Sequence, residues 1–140
     1  MPITLTVPEG VFDGDAEAKV FAELTQALLA IEGLQDNAFM VPNVVGTLNV
    51  LPRHRIFSGG SAAQAAFVEL KLPAVALASS EAKQRFIERA TQIVARASGG
   101  RLAPERVWVN VVYAADGAWG IGGRGYDNAA LGGAIQAAAR

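Results

Sequence analysis

The order strand, helix, strand, aromatic residue, Gly-Gly occurs twice in this chain, and that recurrence constrains the fold more than any other feature. In the first copy, Ile3, Leu5 and Val7 alternate with Thr4 and Thr6, the period of a half-buried strand, and Pro8-Glu9-Gly10 breaks it. Asp13 or Asp15 offers an N-cap for a helix reaching about Glu32, with Gly33 placed as its left-handed stop. Val20, Phe21, Leu24, Ala27, Leu28 and Ile31 give that helix one apolar stripe. A second strand is expected at about 44–51, ended by Pro52. The second copy has a strand at 66–72 and a helix capped by Ser79 or Ser80 that ends before Gly99 and Gly100. Its stripe is Phe86, Ile87, Ala90, Ile93, Val94 and Ala97, and its second strand is 107–113. The tails match as well: Ile56-Phe57-Ser58-Gly59-Gly60 against Trp119-Gly120-Ile121-Gly122-Gly123. A helix stripe alone recurs in any amphipathic helix, but four features recurring in order indicate a duplicated β-α-β unit.

A helix joining two such strands makes a right-handed crossover, so each unit should hold its strands parallel. Two units predict an α/β protein, an α+β sandwich with a four-stranded sheet and both helices on one face. The 140 residues suffice for a single domain, residues 1–140, with repeats at about 2–60 and 66–126 and a short Ala-rich helix at 129–139. Nothing left over can cover the second sheet face, so other copies of the chain are expected to do it.

The apolar fraction of 51% lies slightly above the globular norm, but no apolar run could cross a bilayer, so no membrane role is expected. The net charge is −1 and no basic stripe occurs, which argues against nucleic acid. Cysteine is absent and there is one His, so neither a metal site nor any other cofactor is expected. Glu23, Glu32 and Asp36 read as a solvated helix face and its exit. No basic and apolar leader follows Met1, which predicts a cytoplasmic protein.

Pro2 is the candidate catalytic residue. It is either a plain N-terminal residue or, after loss of Met1, a secondary amine opening a core strand. An α-amino group titrates near 7.7–8.0 in model peptides, and burial or a nearby cation lowers this. Such an amine can serve as a general base or as a nucleophile near neutral pH.

Pro2-Ile3-Thr4-Leu5-Thr6-Val7, the helix and strand after it, and Trp119-Gly120-Ile121-Gly122-Gly123 resemble the 4-oxalocrotonate tautomerase family of the tautomerase superfamily. The doubled length is similar to the branch with cis-3-chloroacrylic acid dehalogenase and malonate semialdehyde decarboxylase. The resemblance covers Pro2 to about Tyr126. It implies the tautomerase fold, a homotrimer of doubled subunits, and catalysis by the N-terminal proline in an apolar pocket, with Trp119 as the pocket aromatic.

The departures from that family concern its charges. Glu9-Gly10 leads to Val11 where the short members carry arginine, and their second arginine falls at Trp108 and Gly46. The stretch before the second helix, Leu72 to Ala78, holds no cation. The dehalogenase's water-activating glutamate falls at Ile121 and its tyrosine at Asn110, which argues against dehalogenation or hydration by that route. For a carboxylate substrate, Arg106 is the candidate partner, sharing a strand face with Trp108 and Asn110 by period; it could equally be a solvated residue at a strand start. Arg53, His54 and Arg55 form a second cluster that could reach a neighbouring subunit's pocket or lie in an exposed turn. The expectation is a keto-enol tautomerase or related proton-transfer enzyme of small 2-keto or enol carboxylic acids, with Pro2 as base and Arg106, Trp119, Asn110 and Arg53 binding substrate. The alternatives are a non-enzymatic oligomer that keeps the fold, and a decarboxylase or lyase of small carbonyl acids.

Overall fold

Each β-α-β unit forms where the apolar periods require it. A computed structural model describes residues 1–139. The first unit comprises β1 (Pro2–Pro8), α1 (Ala16–Glu32) and β2 (Val45–Leu51), followed by a two-stranded hairpin of β3 (Phe57–Ser58) and β4 (Ser61–Ala62). The second comprises β5 (Ala66–Leu72), α2 (Ser80–Ala97) and β6 (Val107–Tyr113), followed by a hairpin of β7 (Trp119–Ile121) and β8 (Arg124–Tyr126). The chain then enters α3 (Asn128–Ala137). Gly33 takes the left-handed conformation at the end of α1 (φ 68°), and the Ser79 hydroxyl caps α2 by accepting from the Ala82 N–H at 3.0 Å. Asp15 stands at the start of α1 without a side-chain capping bond; its carboxylate pairs with Lys19 at the surface instead.

The four long strands lie in the order β2-β1-β5-β6. β1 runs parallel to β2 and β5 runs parallel to β6, as the crossovers demand, while β1 and β5 meet antiparallel at the centre. Ile3, Leu5 and Val7 from β1 and Val68, Leu70 and Leu72 from β5 point to the helix side, where they are fully buried with Leu24, Leu28, Phe86 and Ile93. Each such side chain stabilises the fold by about 1.5–3 kcal/mol on leaving water. Gly46 also points to this side: a Cβ there would lie 2.4 Å from Cε1 of Phe21, so α1 packs flat on β2 only because the side chain is missing.

The opposite face carries three rows of outward side chains. Register aligns Asn49, Thr6, Phe67 and Trp108 at one end of the sheet, then Thr47, Thr4, Glu69 and Asn110. One step beyond the Ile3–Leu70 pair brings Pro2 opposite Lys71, and Val45 and Val112 complete the third row. Among the described residues no helix covers this face, and Val45, Phe67, Trp108 and Val112 stay 36–52% exposed.

Glu32 departs from the reading of it as a solvated residue. Its Oε1 accepts the Leu77 N–H at 2.9 Å and so ties the end of α1 to the loop before α2. Glu23 does lie at the surface, paired with Arg96.

Candidate active site at the start of the central strand

The site begins with where β1 starts. Proline has no N–H to give a ladder, so it is tolerated at the first position of a strand, and Pro2 takes that position on a central one. The residue before it is fixed: the Met1 carbonyl accepts the Val45 N–H at 3.2 Å, the Met1 amine donates to the Asn43 carbonyl, and the side chain is 4% exposed. Burial pulls the pKa of that amine from 8.0 down to about 6.

The other wall comes from the second unit. β6 ends at the same edge of the sheet as Pro2, and the Ala114 N–H bonds the Leu72 carbonyl as the chain leaves it. Gly117 takes φ 86°, a conformation open chiefly to glycine, and the turn delivers Trp119 over the outer side of the sheet. The result is a cavity of ≈ 520 Å³ lined by Met1, Pro2, Val45, Lys71, Tyr113 and Trp119, with Val112, Ala114, Ala118 and Ile121 extending its apolar wall. Tyr113 presents its ring only. Its hydroxyl proton is shared between the carbonyls of Ala76 and Leu77 at 2.9 and 3.0 Å, and burial together with the nearby Glu32 carboxylate raises its pKa.

Of the residues expected from sequence, Pro2 and Trp119 meet in this cavity, while Arg106, Asn110 and Arg53 do not line it. Arg106 precedes β6 at the other end of the sheet, where its Nε donates to the Gln64 carbonyl at 3.2 Å and its guanidinium lies 6.0 Å from the Trp108 ring centre. Six residues of strand, about 20 Å at ~3.3 Å per residue, separate it from Val112. Arg53 follows β2 at that same far end and bonds the Glu9 carbonyl. Asn110 is one outward step from Val112, beside Glu69. Period places Arg106 on the right face but says nothing about which end of the sheet it occupies.

Lys71 is the residue that sequence reasoning missed. It is the charged side chain of the cavity, and its Nζ pairs with Glu69 Oε1 at 3.5 Å. The signal was non-local: only the antiparallel meeting of β1 and β5 brings Lys71 beside Pro2.

The duplication does not produce a second such site. Shifting β1 by 65 positions superposes Val7-Pro8 on Leu72-Pro73 and puts Phe67 where Pro2 stands. Phe67 stacks on Trp108, ring centres 5.9 Å apart. A mid-chain amide nitrogen is not basic, so Phe67 offers no counterpart to an amine at Pro2. Among the described residues no group of three or more His, Cys, Asp or Glu is placed to hold a metal, and no helix is long and apolar enough to cross a membrane.

The doubled β-α-β sheet, in the order β2-β1-β5-β6, is the tautomerase fold. In particular it is the fused form of that fold, with both units in one chain. A fused 4-OT symmetric trimer matches it with a TM-score of 0.77 at 19% identity, over 94% of this chain and 99% of that one. A member of the cis-3-chloroacrylic acid dehalogenase family matches with a TM-score of 0.75 at 20% identity, over 90% and 83%. Macrophage migration inhibitory factor of Toxoplasma gondii gives 0.72 at 13% identity, over 90% and 100%. No family model and no curated protein sequence matches the chain.

Proposed function

We propose that the protein is a proton-transfer enzyme, most simply a keto-enol tautomerase of small 2-oxo or enol acids, working as a homotrimer with Pro2 as general base. The observation that carries the reading is the position of Pro2 at the rim of the cavity, in surroundings that already pull the neighbouring Met1 amine down to about 6. Once Met1 is removed, the Pro2 nitrogen is a secondary amine at the rim of this cavity, where burial favours the neutral form. It takes a proton from the carbon next to the substrate carbonyl, becomes a cation, and returns the proton elsewhere on the conjugated system. Trp119 and the Tyr113 ring keep water from the substrate's apolar part. Removal of Met1 also vacates the buried space of its side chain, which borders the same cavity.

The test is turnover of phenylenolpyruvate by protein whose intact mass shows loss of Met1. Pro2→Ala is expected to lower kcat/KM by roughly a hundredfold, within the usual worth of a general base; equal rates would remove Pro2 from the mechanism. The burial of Met1 favours a second reading in one circumstance. A chain that keeps Met1 has an amide at Pro2 and a filled pocket edge, and is then a non-enzymatic oligomer. An intact mass that includes Met1 would select it.

A further inference from the structure

Lys71 has no role in the reading above, yet it faces the base. It lies on the outward side of β5, one step past the Ile3–Leu70 pair, which sets it opposite Pro2. Directly opposed residues on neighbouring strands have Cβ atoms about 4.5–5.5 Å apart, within reach of a small acid that must touch a cation and an amine together. The side chain is 57% exposed, so its charge is not bought at a large desolvation cost. Its ion pair with Glu69, 47% exposed, is of the weak surface kind and occupies part of an ammonium that has three donors.

Among the described residues no other Lys or Arg lines the cavity. Arg106 and Arg53 bond backbone carbonyls at the far end of the sheet, and Arg124 lies 4.7 Å from the Tyr126 ring centre. Lys83 sits 5.4 Å from the Tyr113 ring centre without lining the cavity. The rest of the wall is apolar or aromatic apart from Asn43, whose side-chain amide donates to the Phe39 carbonyl at 2.7 Å, and the Tyr113 hydroxyl is turned to backbone. One cation, one flanking carboxylate and two aromatic rings form a site for a single negative charge on a flat apolar body.

We propose that Lys71 is the carboxylate-binding residue of the Pro2 cavity and that the site selects monocarboxylates with a planar, apolar body over dicarboxylates. Glu69 supplies the discrimination, since a second carboxylate beside it is repelled. The proposal rests on the Pro2 cavity being the substrate site, but its binding test does not depend on Pro2 being the base.

The experiment is calorimetric titration with cinnamate, its neutral amide cinnamamide, and p-carboxycinnamate, on processed wild type, Lys71→Gln, Lys71→Arg, Glu69→Gln and Pro2→Ala. Wild type should bind cinnamate more tightly than either other compound. Lys71→Gln should weaken cinnamate roughly ten- to a hundredfold, the worth of a charge-assisted hydrogen bond, and leave cinnamamide unchanged. Lys71→Arg should keep most of the affinity, and Glu69→Gln should narrow the gap between cinnamate and the dicarboxylate. With phenylenolpyruvate, Lys71→Gln should raise KM far more than it lowers kcat. If Pro2→Ala turns over phenylenolpyruvate normally, the base assignment fails and the Lys71 result stands. The proposal is overturned if Lys71→Gln binds cinnamate as wild type does, if the dicarboxylate binds more tightly, or if no anion binds.

Discussion

In the proposed mechanism a single titrating nitrogen carries the chemistry. Burial lowers the pKa of the Met1 amine from 8.0 to about 6, and in the processed chain proposed above the Pro2 amine stands one residue along, lining the same cavity. Lys71 opposite it adds positive potential, which favours the neutral base, while Glu69 offsets part of that effect. The proposed mechanism needs the unprotonated amine, so kcat/KM for a neutral enolisable ketone should rise with pH and level off below the ordinary amine range of about 7.7–8.0. Lys71→Gln removes a positive neighbour and should move the acid limb upward; a limb that stays put would mean that the two groups do not sense each other. Gly46 makes a different residue-scale case. It aligns with a family arginine, but it faces α1, so a side chain there would meet Phe21 rather than substrate. Gly46→Ala should destabilise by about 1–3 kcal/mol, the usual cost of overpacking, measured by urea denaturation. Combined with Phe21→Leu it should cost less than the sum of the two changes.

Elements were the legible scale, because strand and helix periods are local. Both units emerge within a residue or two of their expected limits, and Gly33 and Ser79 act as the stop and the cap their positions suggest. What periods do not convey is how loops are held. Pro73 to Ala78, between β5 and α2, reads as an apolar connector without charge. In the structure Leu77 is fully buried at φ 45°, a left-handed conformation that bulky residues avoid. The loop keeps it there with two long-range partners: Glu32 accepts the Leu77 N–H, and the Tyr113 hydroxyl bonds the carbonyls of Ala76 and Leu77. Those residues lie 45 and 36 positions away, so no local pattern announces them. Glu32→Ala should cost about 1–3 kcal/mol by leaving a donor unpaired, and hydrogen exchange should show the Leu77 amide opening faster. Exchange unchanged at Leu77 would mean that packing of its side chain alone fixes the loop.

For the whole molecule, duplication explains the sheet and leaves its outer face unfinished. The two units meet antiparallel through β1 and β5, a pairing that fixes which residues become neighbours across the sheet and that neither unit's sequence records. This is why Pro2 and Trp119, named through resemblance, line one cavity while Arg106 lies at the other end of the sheet, and why Lys71 beside Pro2 passed unnoticed. The outer face ends in Phe67 and Trp108 on one side and Val45 and Val112 on the other, each 36–52% exposed. An apolar surface spread over four strands gains free energy on leaving water, roughly 25 cal/mol per Å², and self-association through a closed ring is the economical way to bury it. If the proposed homotrimer is the closed form, sedimentation equilibrium at micromolar concentration should give about 44 kDa, three times the 14.6 kDa chain. Phe67→Glu with Trp108→Glu puts two charges on this face and touches no buried core residue. The variant should keep its circular dichroism and sediment as a single chain. Wild type sedimenting at 14.6 kDa would defeat the trimer outright. A variant that stays assembled would mean that the contact between copies uses another surface.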